Sequence, residues 1–112
     1  MKLMEKNLKT ALLLDEYGGL LPERQLSCLR CYYEEDLSLS EIAENEGITR
    51  QGVRDNIKRG EAFLMQCEEK IGLVERLSLI RTHLDNVSEA IDNIDTDTDK
   101  IKKELALIEE LL

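Results

Sequence analysis

Apolar residues recur at spacings of three and four through most of this chain, which is the period of amphipathic helices. The pattern predicts a first helix over residues 3–17, ended by a double glycine, and a second helix that begins near Pro22. A separate pattern fills residues 39–66 and ends before another glycine. We therefore predict an all-α protein with two domains, residues 1–72 and residues 73–112.

Residues 39–66 predict two short helices joined by a tight turn. One face of each helix is apolar, formed by Leu39, Ile42 and Ala43 in the first and by Val53 and Ile57 in the second. Gly47 stands where the chain must turn sharply, and Thr49 suits the N-cap of the second helix. This is a helix-turn-helix pattern, in which the second helix typically enters the major groove of DNA.

The second of these helices carries nearly all of the local positive charge. Residues 49–60 hold four basic residues and one acidic residue, a net charge of +3 on a chain whose formal net charge is −9. One basic helix on an acidic protein is expected where a single surface meets phosphate. We predict that nucleic acid is contacted by the outward-facing residues Arg50, Gln51, Arg54, Lys58 and Arg59.

Each of these side chains suits a particular contact with a DNA duplex. Arg50 and Arg54 carry guanidinium forks that fit guanine edges or phosphates, and Gln51 fits adenine. Lys58 and Arg59, further along the helix, fit backbone phosphates. The alternative is a small helical unit whose basic face is only solvated or docks on an acidic protein.

The C-terminal segment has a heptad pattern of its own. Its stripe alternates spacings of three and four through Leu77, Ile80, Leu84, Val87, Ile91, Ile94, Thr98, Ile101, Leu105, Ile108 and Leu112. Such a stripe is typical of a coiled-coil seam, and we predict that its aliphatic positions from Leu77 to Ile108 join two chains in a homodimer. The poor helix formers at residues 95–99 leave two forms open, a continuous rod or a hairpin of residues 73–94 and 98–112. The stripe could instead fold back onto the N-terminal domain.

Catalysis, metal binding and membrane insertion find little support in the sequence. His83 is the single histidine, and no phosphate-binding loop, metalloprotease motif or nucleophile motif is present, so we predict no enzyme activity and no cofactor. Cys28, Cys31 and Cys67 predict no disulfide framework, and the Cys28–Cys31 pair is interpreted as small buried apolar residues rather than zinc ligands. No apolar run approaches the ~18 residues of a membrane span, and no signal peptide is indicated. We therefore expect a cytoplasmic protein.

Three stretches of the chain resemble a known bacterial family. They are LLLDEYGGLLPERQ at 12–25, CYYEEDLSLSEIAENEGITRQGVRDNIKR at 31–59 and CEEKIGL at 67–73, and they are similar to the YlxM family of helix-turn-helix proteins in Gram-positive bacteria. The turn motif is also similar, more broadly, to the promoter-reading fourth region of sigma factors. Two features depart from such motifs. Glu46 stands where an apolar residue usually precedes the turn, and Gly52 and Gly60 interrupt the second helix.

The resemblance implies an all-α, dimeric bacterial protein with a regulatory, nucleic-acid-binding role. Because members of the family are encoded beside genes for the signal recognition particle, it also implies a part in that protein-targeting pathway. Our first hypothesis is a dimeric regulatory protein that binds duplex DNA, which we favour over RNA. The alternative is an interaction protein that contacts the RNA or protein of the signal recognition particle. A purely structural coiled-coil adaptor is the third hypothesis.

Overall fold

The computed structural model describes residues 8–93 and 98–112, and the regular structure within these ranges is entirely helical. In chain order the helices are α1 (Leu8–Tyr17), α2 (Glu23–Tyr33), α3 (Leu39–Glu46), α4 (Arg50–Ile71), α5 (Leu73–Asp92) and α6 (Thr98–Leu111), with a 3-10 turn at Gly18–Leu20. The predicted all-α fold is confirmed. Residues 3–7 of the predicted first helix and Ile94 of the predicted seam lie outside the described residues.

The chain divides into two compact units, Met1–Ile71 and Gly72–Leu112. In the first unit α4 is the central helix, because α1, α2 and α3 all pack against it. The core of this unit contains the fully buried side chains Leu13, Cys28, Leu29, Ile42, Val53, Ile57 and Leu64. The buried positions of α4 recur at spacings of three and four, so one face of this helix points inward and the opposite face points to solvent.

Gly60 lies where α4 packs against α2. A Cβ atom added to Gly60 would lie 2.5 Å from Cδ1 of Leu29, well inside van der Waals contact. Gly60 is itself buried. A glycine that weakens an isolated helix therefore permits the close packing of two helices here.

Two tyrosines tie the surrounding helices to α4. The hydroxyl of Tyr17 on α1 donates to Oε1 of Glu68 at 2.6 Å, and the hydroxyl of Tyr33 on α2 donates to Oε2 of Glu61 at 2.5 Å. Burial, and next the hydrogen bond to Glu61, raise the pKa of Tyr33. Tyr32 is buried in the core, whereas its neighbour Tyr33 is only half-buried, at the edge where its hydroxyl reaches a carboxylate.

The second unit is a helical hairpin, which decides between the rod and the hairpin that the sequence left open. α5 and α6 pack against each other, and Nδ1 of His83 lies 2.5 Å from Oε2 of Glu104. The short connection between Asp92 and Thr98 spans at most about 20 Å, whereas α5 is about 30 Å long. The chain cannot return to the start of α5 before α6 begins, so the two helices run antiparallel.

The heptad stripe is divided between the inside and the outside of this hairpin. One set of positions is buried or half-buried where the helices pack: Ile80, Val87, Ile101 and Ile108. The other set stays exposed: Leu77, Leu84, Ile91, Leu105 and Leu112. The predicted seam is therefore not one continuous surface between two chains, because each helix turns one row of its stripe toward its neighbour in the same chain.

The three cysteines are free thiols that differ in burial. Cys28 is buried as predicted, Cys31 was also predicted to be buried but is only half-buried, and Cys67 is buried. Burial, followed by a hydrogen bond with Glu35, raises the pKa of Cys31 to about 11, so this thiol stays protonated near neutral pH. In the described part of the chain no group of His, Cys, Asp and Glu side chains could hold a metal ion. Among the described helices, none combines the length and the apolarity that crossing a bilayer requires.

Candidate nucleic-acid interface

Local signals fix both ends of α3, the helix that precedes the turn into α4. Oγ of Ser38 accepts from the amide of Glu41 at 3.1 Å, and the carboxylate of Glu41 accepts from the amide of Ser38 at 3.1 Å. This reciprocal pair is a capping box at the start of α3. At the other end of α3, Gly47 has φ +67°, a left-handed conformation that a Cβ atom disfavours. The turn predicted at Gly47 is confirmed.

Thr49 begins α4 as predicted. Its Oγ1 accepts from the amide of Gly52 at 2.9 Å, and its carbonyl accepts from the amide of Val53 at 3.0 Å. These bonds satisfy amides that the first turn of a helix leaves unpaired. Val53 and Ile57, the predicted apolar stripe, are fully buried. The Thr49 cap fixes where α4 begins, and Val53 and Ile57 fix which face of α4 is buried. The directions of the other side chains then follow from the helical period.

Glu46 connects α3 to α2 through polar contacts. Oγ of Ser27 donates to Oε2 of Glu46 at 2.8 Å, and Nε of Arg24 lies 3.5 Å from Oε1. The Glu46 side chain is only 18% exposed, so a carboxylate here requires partners for both oxygens. The departure of Glu46 from the usual apolar residue is therefore compensated within the fold. The sequence did not reveal this, because both partners lie on another helix.

The five predicted nucleic-acid contacts all lie on the solvent side of α4. The side chains of Arg50, Gln51, Lys58 and Arg59 are exposed, and that of Arg54 is half-buried. Within residues 8–93 and 98–112, no carboxylate forms an ion pair with any of the four basic side chains on this face. Their positive charge is therefore not neutralised by a neighbouring side chain.

These side chains are ordered around the helix. At about 100° per residue, Arg50, Arg54 and Lys58 form a slanting row along one edge of the exposed face. Arg59 lies on the other edge, about 180° around the helix from Arg50. Gln51 lies between the two edges. Cations therefore border the face on both sides, and a polar strip runs along its centre.

Asp55 is a residue of this face to which the sequence analysis assigned no contact. It lies one turn after Gln51, and Nε2 of Gln51 donates to Oδ1 of Asp55 at 3.0 Å. This bond directs the amide nitrogen of Gln51 toward Asp55 and leaves its Oε1 free to accept. The centre of the face thus presents acceptors, which match the amino groups of cytosine and adenine in the major groove. The spacing of four residues is the signal that could have indicated the pair.

Comparison with known proteins gives the same assignment over nearly the whole chain. The family model UPF0122, described as "Putative helix-turn-helix protein, YlxM / p13 like", matches residues 4–108. A UPF0122 protein of Acetivibrio thermocellus is 48% identical over 92 residues, which cover 82% of this chain and 79% of that protein. One of Clostridium kluyveri is 40% identical over 104 residues, covering 88% and 94% of the two chains.

A third relative supports the assignment across both units. It is a UPF0122 protein of Thermoanaerobacter, 44% identical over 100 residues that cover 89% of this chain and 85% of the relative. The family match includes α5 and most of α6, so the hairpin belongs to the matched region as well as the turn motif. The resemblance drawn from the sequence is confirmed, and this chain belongs to the UPF0122 family of YlxM/p13-like helix-turn-helix proteins.

Proposed function

We propose that this protein is a regulatory protein that binds duplex DNA by placing the outer face of α4 in the major groove. The observation that carries the proposal is the cationic face of α4, whose four basic side chains pair with no described carboxylate on a chain of net charge −9. A single cationic face on an acidic protein favours one orientation toward phosphate. The buried stripe of Val53 and Ile57 anchors the opposite side of the helix, as a recognition helix needs.

The order of side chains around α4 suggests how the contacts divide. Arg50 and Arg59 lie on opposite edges and suit the two phosphate backbones that border the groove. Arg54, one turn after Arg50 in the same row, suits a guanine edge. The Gln51–Asp55 pair suits the amino group of cytosine or adenine. Sequence preference would then come from the centre of the face and affinity mainly from its edges.

The protein is also proposed to act as a homodimer. Two copies of α4 related by a two-fold axis would read two half-sites about 34 Å apart, one turn of B-form DNA. Symmetric sites of this kind are the expected targets of a two-fold symmetric helix-turn-helix protein.

A binding series on the full chain tests the proposal. Selection from random duplex DNA supplies the ligand, and fluorescence anisotropy measures the Kd of the wild type, Arg50→Ala and Arg54→Ala. We expect each substitution to raise the Kd at least about fivefold, and we expect Arg50→Ala, which removes a phosphate contact, to lower the slope of log affinity against log salt by about 0.9. Lys70→Ala is the matched control, because Lys70 is an exposed cation of α4 about 16 Å beyond Arg59.

Three results would end the proposal. They are failure to select any duplex, a Kd that neither arginine substitution changes, and a Kd that Lys70→Ala raises as much as the arginine substitutions do. The last result would mean that binding follows the overall charge of the protein rather than this face of α4.

A role in the signal recognition particle pathway is the second function that we propose, and it rests on the resemblance described above. The same cationic face would then meet RNA. Because the major groove of A-form RNA is too narrow for a helix, the contact would have to be with a loop, a bulge or a single strand. Anisotropy with the particle RNA and with a DNA duplex of matching sequence separates the two functions at one salt concentration. Tighter binding to the RNA, lost in Arg50→Ala, supports this role, and equal or weaker binding refutes it.

A further inference from the structure

One face of the α5–α6 hairpin is apolar and has no partner among the described residues. Leu77, Leu84 and Ile91 of α5 are 41%, 49% and 58% exposed, Leu105 of α6 is 44% exposed, and Leu112, directly after α6, is 90% exposed. These side chains recur every seven residues on each helix. Contiguous exposed apolar surface of this kind is unfavourable in water and typically marks a contact with another molecule.

The exposed rows of the two helices lie on the same side of the hairpin. The row at Ile80 and Val87 of α5 and the row at Ile101 and Ile108 of α6 occupy the same heptad position, and both are turned inward. On each helix the exposed row is rotated from the inward row in the same direction, as seen along the chain. Because the two helices run antiparallel, these equal rotations bring both exposed rows to the same side of the hairpin. The exposed row of α5 and that of α6 therefore form one strip, two helices wide.

The hydrogen bond between His83 and Glu104 shows which residues of α5 lie beside which residues of α6. Leu84 follows His83, and Leu105 follows Glu104. Because the helices are antiparallel, these two leucines lie within about 3 Å of each other along the hairpin axis. Both rows repeat every seven residues. Leu77 and Leu112, seven residues from Leu84 and Leu105, therefore form a second pair of leucines that lie at similar heights along the hairpin.

The charged residues that border this strip are complementary to a second copy of it. On α5 the border carries Arg81 and Asp85, and on α6 it carries Lys102 and Glu109, all of them exposed. Two strips can face each other about a two-fold axis that is parallel or perpendicular to the helices. In the register set by His83 and Glu104, the parallel axis brings Asp85 level with Lys102 of the second copy and Arg81 to about 5 Å from Glu109 of the second copy along the axis. The parallel axis therefore pairs opposite charges across the border, as a self-associating surface requires.

We propose that this strip joins two copies of the chain face to face as a four-helix bundle. One row of each helix closes the hairpin within a copy, and the other row closes the contact between copies. The proposal names the surface of the homodimer described above, and it does not depend on nucleic-acid binding.

Sedimentation equilibrium of the full chain, without nucleic acid, tests this surface. We expect a dimer, and we expect Leu84→Glu and Leu105→Glu each to raise the dissociation constant at least about a hundredfold, because each places a carboxylate in the apolar centre. Leu79→Glu is the matched control. Leu79 is another leucine of α5, 42% exposed, but it lies on the other border of the helix contact, so its substitution leaves the dimer intact. Circular dichroism verifies that each variant keeps its helix content.

A wild-type chain that sediments as a monomer at about 100 μM overturns the proposal. A dimer that resists Leu84→Glu and Leu105→Glu, or one that Leu79→Glu weakens equally, also overturns it. These outcomes are independent of the anisotropy measurements, since a dimer without affinity for DNA and a DNA-binding monomer would each be recognised.

Discussion

Replacing Gly60 by alanine tests whether the packing of α2 on α4 leaves no room for a side chain. The added Cβ atom would lie 2.5 Å from Cδ1 and 3.4 Å from Cγ of Leu29. Leu29 is 0% exposed, so its side chain cannot move into solvent. Either the leucine leaves its preferred rotamer or the two helices separate, and both changes loosen the core that anchors α4.

Two opposing effects set the size of the change in unfolding free energy. Overpacking a well-packed core costs about 1–3 kcal/mol, and a contact this short belongs near the upper end of that range. Alanine in place of glycine inside a helix gains about 1 kcal/mol. We therefore expect Gly60→Ala to lower the free energy of unfolding by about 2 kcal/mol, a fall of roughly 10 °C in Tm.

Urea denaturation of the full chain, followed by circular dichroism, measures this loss. Gly52→Ala is the matched control, because it makes the same substitution in the same helix. Its added Cβ atom would meet Oγ1 of Thr49 at 3.3 Å, a looser contact than the 2.5 Å at Gly60 and one made with an exposed residue. The expected change in the control is therefore within about 1 kcal/mol of zero.

A double-mutant cycle separates collision from other causes. Leu29→Ala removes the colliding atoms, so the variant that carries both Leu29→Ala and Gly60→Ala should be more stable than the sum of the single changes predicts, by at least about 1 kcal/mol. Two results would refute the reasoning: a Gly60→Ala variant at least as stable as the wild type, or strict additivity in the cycle.

Three further predictions concern the turn, the α2–α3 contact and the hairpin. Gly47→Ala should cost about 1–2 kcal/mol in urea denaturation, because φ is +67° while nothing lies within 4 Å of the added Cβ atom. Glu46→Ala should cost about 1–2 kcal/mol by the same measurement, because it removes the acceptor of the Ser27 hydroxyl. The hydrogen bond with His83 lowers the pKa of Glu104, so its stabilisation of the hairpin is present above the ordinary value of about 4.5 and is lost as pH falls through the lower folded pKa. Melting curves between about pH 6 and pH 3 should show this loss in the wild type and less of it in Glu104→Gln.

Each of these predictions has a contrary result. A Gly47→Ala variant more stable than the wild type would mean that the turn relaxes out of the left-handed region at no cost. An unchanged stability for Glu46→Ala would mean that water replaces the contact with Ser27. Identical pH profiles for the wild type and Glu104→Gln would show that the ionised carboxylate of Glu104 does not stabilise the hairpin.

Local signals in the sequence were sufficient for the turn motif. Gly47, Thr49 and the stripe of Val53 and Ile57 were all predicted where the structure has them. Each rests on interactions between residues a few positions apart: a left-handed glycine, a hydroxyl cap and the helical period. The outward direction of Arg50 and Lys58 follows from the same period, so the proposed interface could be located from sequence as well.

Contacts between residues far apart in the sequence could not be predicted from capping, glycine position or helical period. Glu46 and Gly60 read as defects in the sequence, since an acidic residue and a helical glycine each have an unfavourable local preference. In the structure Glu46 is bound by Arg24 and Ser27, and Gly60 leaves the space that Leu29 fills. Their local cost is offset by partners on α2 that no local pattern indicates.

The sequence by itself determined the helices, the turn motif and the basic face of α4, because propensity, capping and helical period act over one or two turns. Only the tertiary structure decided how the heptad stripe is used. A row of aliphatic residues predicts that one face of a helix is covered, but it does not predict which helix or which chain covers it. The reversal of the chain between α5 and α6 covers Ile80, Val87, Ile101 and Ile108 within one chain and leaves the second row exposed. Which row is covered depends on the antiparallel direction of α5 and α6 and on their register, and both are properties of the whole hairpin.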